Sequence, residues 1–524
     1  MDEKVIIKNA RCLTMDESST ANKRASWICF QNGVIKALGR DADGYFSWAD
    51  GNTTIIDAEG NTVLPGFIDN QFHIVYCGVT RHWAGLSEAR TLDEVRQAIT
   101  KALKDRTGDF LIAHGYQPEK MADGQQLDRK KLDAICGDIP LAVWSKDVHT
   151  LILNSCGVLY FKVPFVLDGV EKDENDVPTG IFKRKASVRL YSEIVGRFSD
   201  DYCDRVVWEV MKDIHASGIT TVADLEGGNM GVPENGSREA DFIYQKGDKY
   251  QLNIELCYPT YDIEKVVSMG LKRIGGSLYV DGTMSARTAA LTFDYADDPG
   301  NRGTFCISRE YLNEFVLECY RRGLQTGLDA IGDAAIEWVI SAHEYAAERF
   351  GVSKMRHRIE HAELITEPQM ERAAKLGLIL CMQPAYEMAW GGKGKMYEQR
   401  LGERYLTSNP FREILDHGIR ICGGSDIMDI RPMIGIHYAV NHPVSRHSVT
   451  LEEALKMYTS DGAYTLFLED KVGSLRAGMA ADIVILDSDI ETVDKSQLKD
   501  VGVAMTIKDG ELVYVQKDGQ AANV

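Results

Sequence analysis

The sequence predicts an α/β protein: a (β/α)8 TIM barrel with a composite β-sandwich built from both termini and an insertion after the first barrel strand. Three observations predict it. The middle of the chain alternates apolar, β-branched runs with amphipathic helical segments, and eight strand–helix units fit between Pro65 and about His442. Both ends read instead as short strands separated by turns rich in Asp, Asn and Gly. No GxGxxG stands at a first strand–helix turn, which weighs against a doubly wound dinucleotide-binding sheet.

Taken in order, Lys4 to Cys12 is β-rich, QNGVIKAL around Gly33 forms a hairpin, and TTIIDAEGN repeats the style. ADIVILDSD, VAMTIKDG and ELVYVQKDG match it near the C-terminus, so residues 1–64 and 443–524 are expected to form the sandwich and 65–442 the catalytic barrel. The barrel strands read as TVLPGFIDNQFH, GITTVADLE, LNIELCYPT, SLYVDGTM, LQTGLDAI, RHRIEHAE, LILCMQP and IRICGGSD. Helices stand between most of them, such as ISREYLNEFVLECYRRG before the fifth and PQMERAAKLG before the seventh. Residues 84–213 form the insertion, with strands at FLIAHGY and LAVWSKD and an exposed hairpin at LDGVEKDENDVPTGIF. An insertion on a barrel's top is expected to shape the pocket.

A chain of 524 residues is too long for one ordinary core. Its 44% hydrophobic and 26% charged residues are a globular mixture, and a net charge of −19 argues against nucleic acid or an anionic membrane as partner. No run of 18 apolar residues occurs, and MDEKVIIKNA lacks the basic-then-apolar pattern of a signal peptide. Eleven scattered cysteines without a CxxC pair suit reduced, buried thiols in a cytoplasmic enzyme. The expected partner is a small-molecule substrate.

Catalytic groups of such a barrel sit at the C-terminal ends of its strands. Those ends carry Gln71 and His73, Ser277 to Asp281, Asp329, His361, Gln383 and Asp426. Burying so many polar groups is costly unless they bind something or each other. Each has a plainer reading: His361 as a salt-bridged histidine, Asp426 as a helix cap, Asp329 as an arginine partner or cap, Gln71 and Ser277 as hydrogen-bonding residues.

Eight blocks stand in order along the chain: VLPGFIDNQFH, VHTLILNS, DGTMSARTAAL, AIGDAAI, RHRIEHAE, MQPAY, GGSD and GSLRAGMAADIVILD. Together they resemble the amidohydrolase superfamily, and within it the YtcJ-like branch called amidohydrolase family 3, over nearly the whole chain. The resemblance implies a TIM barrel with a composite sandwich, and hydrolysis by a metal-activated water. The chain departs from the pattern at three ligand positions. Gln71 replaces the first histidine of the H-x-H pair, Ser277 the metal-bridging lysine, and Asp329 the strand-five histidine, while His73, His361 and Asp426 are kept.

The remaining set implies one divalent ion, Mn or Zn, held by His73, Asp329, His361 and Asp426 with Gln71 offering a carbonyl oxygen. Asp426 would be the general base and His361 its companion in catalysis. The family pattern places His149 and Asn154 in the pocket lining. Arg287 could hold a substrate carboxylate or polarised oxygen, its plainer reading being an ion pair with Asp281. Tyr116 and Trp390 are candidate aromatic walls with His114 beside them, or else packing residues. The bond expected is a C–N amide, cyclic or acyclic. Hydrolytic C–C opening of a cyclic β-diketone, metal-free acid–base chemistry and a binding-only descendant are the alternatives. In similar proteins the composite sandwich supports dimers, so a homodimer is the oligomer to test.

Overall fold

A computed structural model describes residues 4–18, 23–104, 106, 108–122, 126–145, 150–227, 237–517 and 520–522. It divides into two compact units, one of residues 1–73, 208–225 and 243–524, the other of residues 74–207 and 226–242.

In the first unit the terminal strands form two sheets. The four-stranded one runs in the order Val34–Gly39, Trp27–Gln31, Lys4–Lys8, Thr53–Asp57. The seven-stranded one joins the C-terminal strands to the N-terminal ones, Ile483–Leu486 pairing antiparallel with Thr62–Pro65. Alternation along the strands puts Ile7, Ile28 and Phe30 into one core cluster with Val63, Ile483, Ile485 and Ile507. Two hairpin turns among the described residues are the left-handed kind that matches strand twist: Asn32 and Gly33 have φ of 53° and 73°, Asp509 and Gly510 of 50° and 79°.

Eight parallel strands occupy the middle of the same unit. We label them β1 (Phe67–Phe72), β2 (Ile219–Asp224), β3 (Asn253–Leu256), β4 (Arg273–Tyr279), β5 (Gln325–Ala330), β6 (Arg358–His361), β7 (Ile379–Met382) and β8 (Ile421–Gly423). Strands β1 to β3 pair in sequence order, and so do β4 to β8. Isolated parallel bridges link Tyr258 to Ile274 and Phe72 to Asp426 at the ends of these two runs. The expected helices are present as Arg309–Arg322, whose cap Ser308 accepts a hydrogen bond from Tyr311 N, and Glu367–Leu376, closed by a capping box from Thr366 and Gln369.

The run TVLPGFIDNQFH is two strands, not one. It breaks at Gly66, so that Thr62–Pro65 belongs to the seven-stranded sheet and β1 starts at Phe67. The break needs glycine, because a Cβ there would lie 2.2 Å from Thr220 Oγ1. Strand β4 also starts earlier than SLYVDGTM suggests, at Arg273, with Gly275 and Gly276 at φ of 107° and 83° where its register with β5 shifts.

The second unit has its own six-stranded sheet and a core including Val95, Ile99, Leu111, Leu127, Leu132 and Val143. FLIAHGY and LAVWSKD supply neighbouring parallel strands, Leu111–Tyr116 and Leu141–Ser145. The hairpin pairs Val170–Lys172 with Pro178–Lys183, its turn tied by Asp173, which accepts from the backbone N–H of Asn175 and Val177. Among the described residues no helix is long and apolar enough to cross a membrane.

Candidate active site

Strand geometry brings the expected residues together at one end of the parallel strands. Asp69 on β1 accepts from the N–H groups of Gln71, at 3.1 Å, and Ser425, at 3.0 Å, while Asp426 N donates to Gln71 O at 2.8 Å. This backbone stitch sets the end of β1 against the residues that follow β8. Asp426 and His361 both leave their strands in the left-handed region, with φ of 55° and 70°. Non-glycine residues seldom stay there unless the surroundings hold them, and such positions cluster at functional sites.

Two imidazole–carboxylate pairs result. His73 Nε2 donates to Asp426 Oδ1 at 2.9 Å, and His361 Nε2 lies 3.0 Å from Asp329 Oδ2. Gln71 links them, its Nε2 standing 3.2 Å from His361 Nε2 while its Oε1 accepts from Gln383 Nε2. All are buried, Asp426 being the most open at 8%. Asp329 Oδ1 and His361 Nδ1 are buried without a hydrogen-bond partner among the described residues.

Electrostatics follow from this packing. Burial opposes charge on His73, but the Asp426 carboxylate bonded to it wins and raises its pKa. Burial likewise works against the Asp426 carboxylate, yet His73, His361 and the Tyr386 hydroxyl hold its pKa down. His361 is carried against burial up to about 10 by Asp329 and Asp426, and burial raises Asp329 itself. Asp69 is pushed by burial to about 7.

Tyr386 lies outside the set that the strand ends gave. Its hydroxyl donates to Asp426 Oδ2, opposite His73, and its ring lies 5.9 Å from that of His361 and 4.4 Å edge-on from Trp390. The MQPAY block was visible in the sequence. Nothing local in it distinguishes a tyrosine that reaches a carboxylate 40 residues away. Ser277 stays out of the network, its hydroxyl donating to Leu225 O at 2.5 Å.

The other named residues are placed differently. Arg287 forks onto Asp297 at 3.0 and 2.9 Å, with Arg400 on the same carboxylate, so the internal ion pair of the plainer reading is present with Asp297 in place of Asp281. Asp281 instead accepts from the N–H groups of Ala290, Ile331 and Gly332. In the second unit the Asn154 amide is used up in structure, as helix cap to Gly157 N, acceptor from Leu141 N and donor to Cys136 O and Ile139 O. Tyr116 is a core residue whose hydroxyl accepts from Leu127 N, so packing rather than a pocket wall describes it. His114 stacks edge-on against Trp83 at 5.8 Å. Trp390 is half-buried in an apolar cluster with Met284, Leu364 and Tyr397. His149 lies outside the described residues.

The chain is similar to known proteins along nearly its whole length. A putative amidohydrolase YtcJ of Bacillus subtilis is 27% identical over 94% of this chain and 96% of its own. An N-substituted formamide deformylase of Arthrobacter pascens is 23% identical over 97% and 98%. An uncharacterised metal-dependent hydrolase from Pyrococcus horikoshii shares the fold, with a TM-score of 0.75, 24% identity and coverage of 94% and 99%. The amidohydrolase family model matches residues 54–514, and the chain belongs to that family.

Proposed function

We propose that the chain is a hydrolase that cleaves a C–N bond, amide or cyclic amide, in a small carbonyl compound, using a single divalent ion, Mn or Zn, and Asp426 as base. The observation that carries it is the pair of buried imidazole–carboxylate couples, His73–Asp426 and His361–Asp329, joined by Gln71 at the strand ends of an amidohydrolase. The eight parallel strands are read as the closed barrel of that superfamily, and the two terminal sheets as its sandwich.

Superfamily members use divalent metals, so the donors need testing against one. A two-ion centre does not fit. Ser277, whose hydroxyl donates to Leu225 O, stands where the bridging lysine would be, so the group that would link two ions is missing. One ion would need the His73–Asp426 and His361–Asp329 pairs to open towards it together with Gln71, since among the described residues no three His, Cys, Asp or Glu side chains are grouped to hold an ion as they stand; the unpartnered buried Asp329 Oδ1 favours a cation there. His73, Asp329, His361, Asp426 and the Gln71 amide oxygen would hold it. Such an ion supplies a water of lowered pKa and a polarised carbonyl. Asp426 then accepts the proton of the attacking water and delivers it to the leaving nitrogen. Burial of the surrounding groups excludes competing solvent. Arg287 and Trp390 are proposed substrate contacts. Asn154 and Tyr116 are committed to structure and carry no substrate role in this reading.

A second reading drops the ion. Against burial, the Asp329 and Asp426 carboxylates carry His361 up to about 10, which suits a metal-free acid opposite Asp426 as base. Metal content by mass spectrometry on chelator-free protein separates the two. About one equivalent, lost in His73→Ala and His361→Ala, supports the first; no uptake of added Mn or Zn leaves the second. Turnover should then be sought with N-formyl compounds, cyclic amides and a cyclic β-diketone. Hydrolysis of the diketone alone would replace the C–N assignment by C–C cleavage, since an enolate leaves with less proton assistance than an amine.

A further inference from the structure

We propose that the turn after β7, Gln383 to Tyr386, is the positioning element of this site: Gln383 sets the Gln71 amide and Tyr386 sets the Asp426 carboxylate. It rests on the reading that Gln71 and Asp426 belong to the working site, and it adds two residues to it.

The turn is short and braced. Tyr386 N donates to Gln383 O at 2.9 Å, and Pro384 between them fixes one backbone angle. The next residue, Glu387, accepts from Asn409 Nδ2 at 2.6 Å, while Asn409 N donates to Glu363 O at 2.8 Å, just past the end of β6. The turn is thereby referenced to the strand that carries His361. From this base two buried side chains reach two different site residues. Gln383 Nε2 donates to Gln71 Oε1 and, at 3.2 Å, to Cys381 O, so it decides which end of the Gln71 amide faces His361. Tyr386 donates to Asp426 Oδ2, leaving Oδ1 to His73.

Asp426 needs such a hold. Its backbone is left-handed at φ 55°, and the residues after it, Ile427 to Ile430, are exposed or half-buried. With both oxygens taken, the carboxylate has one orientation. The Tyr386 ring is packed independently by His361 and Trp390, so the hydroxyl is the part of the side chain that acts on Asp426. A packing role alone predicts that phenylalanine serves as well as tyrosine.

The test compares the full-length protein with Tyr386→Phe and, separately, Gln383→Leu. In crystal structures, Tyr386→Phe is expected to let the Asp426 carboxylate rotate and lose its 2.9 Å contact with His73. Gln383→Leu is expected to release the Gln71 amide. Isothermal titration with Mn(II) is expected to show about 10- to 100-fold weaker binding in Tyr386→Phe, the usual effect of losing a partner of a metal ligand. Unchanged Asp426 and Gln71 orientations in both variants overturn the proposal, as does unchanged Mn(II) affinity where the parent binds it. If the parent takes up no Mn(II) or Zn(II), the single-ion reading fails by itself and the crystal structures decide the positioning role.

Discussion

Asp426 is the residue on which most of the site converges: Gln71 O takes its backbone N–H, and His73 and Tyr386 take its two oxygens. Asp426→Asn keeps the shape but loses the charge and the basicity. Its turnover is expected to fall by about 10²–10⁴-fold, the usual scale of a lost general base, with circular dichroism unchanged. A second residue matters for stability, not chemistry. His343 is fully buried against the Tyr320 hydroxyl at 3.2 Å, and burial lowers its pKa from 6.5 to about 3. Folding therefore favours the neutral ring. The stability it contributes is complete above the unfolded value of 6.5 and is lost progressively as pH falls from there towards about 3. At most about 1.4 kcal/mol per pH unit comes from one such group. His343→Asn should flatten the decline of urea-unfolding stability between pH 6.5 and 4, even if it lowers stability at neutral pH; an unaltered slope would show that His343 titrates alike in both states.

Among the elements, β4 has the most constrained backbone. Gly275, at φ 107°, faces Gly327 so closely that a Cβ would lie 2.1 Å from its carbonyl oxygen, and Gly276 abuts Leu225. The two glycines make the register shift that carries β4 on towards Asp281, whose carboxylate then staples the loop before Ala290 to the end of β5. Gly275→Ala combines a forbidden φ with a backbone clash, beyond the roughly 1 kcal/mol that left-handed strain alone costs. We expect a thermal midpoint several degrees lower or insoluble expression, measured by scanning calorimetry on any soluble fraction. The helices are less exacting, since capping residues such as Ser308 and Thr366 end them locally.

At the scale of the molecule, the two ends of the chain are one structure. Ile483–Leu486 lies between Thr62–Pro65 and Val503–Lys508 in the seven-stranded sheet, and Ile483, Ile485 and Ile507 fill the core shared with Ile7 and Ile28. Removing residues 482–524 would leave the Thr62–Pro65 edge unpaired and that core open. Burying one such aliphatic side chain contributes about 1.5–3 kcal/mol, so several lost together exceed the margin of an ordinary domain. The truncated protein is expected to aggregate on expression, and a soluble, cooperatively unfolding product would contradict this account. The eight strands depend on the same edge, because β1 continues from Thr62–Pro65 through Gly66.

The sequence by itself determined which residues meet at the strand ends. In parallel strands of fixed order, a polar residue at the C-terminal end of one run lies beside those ending the others, so Gln71, His73, Asp329, His361 and Asp426 were legible from local pattern and family blocks. The turns at Asn32–Gly33 and Asp509–Gly510 were legible too, because they depend on nearest neighbours. Only the tertiary structure decided which atoms bond. It gave Arg287 to Asp297, turned Asp281 onto backbone amides, committed Asn154 and Tyr116 to structure, and brought Tyr386 to Asp426. Those outcomes depend on strand stagger, loop path and side-chain rotamers, which no local spacing encodes. A hydrogen bond gained or lost over an ångström therefore had to wait for the packed chain.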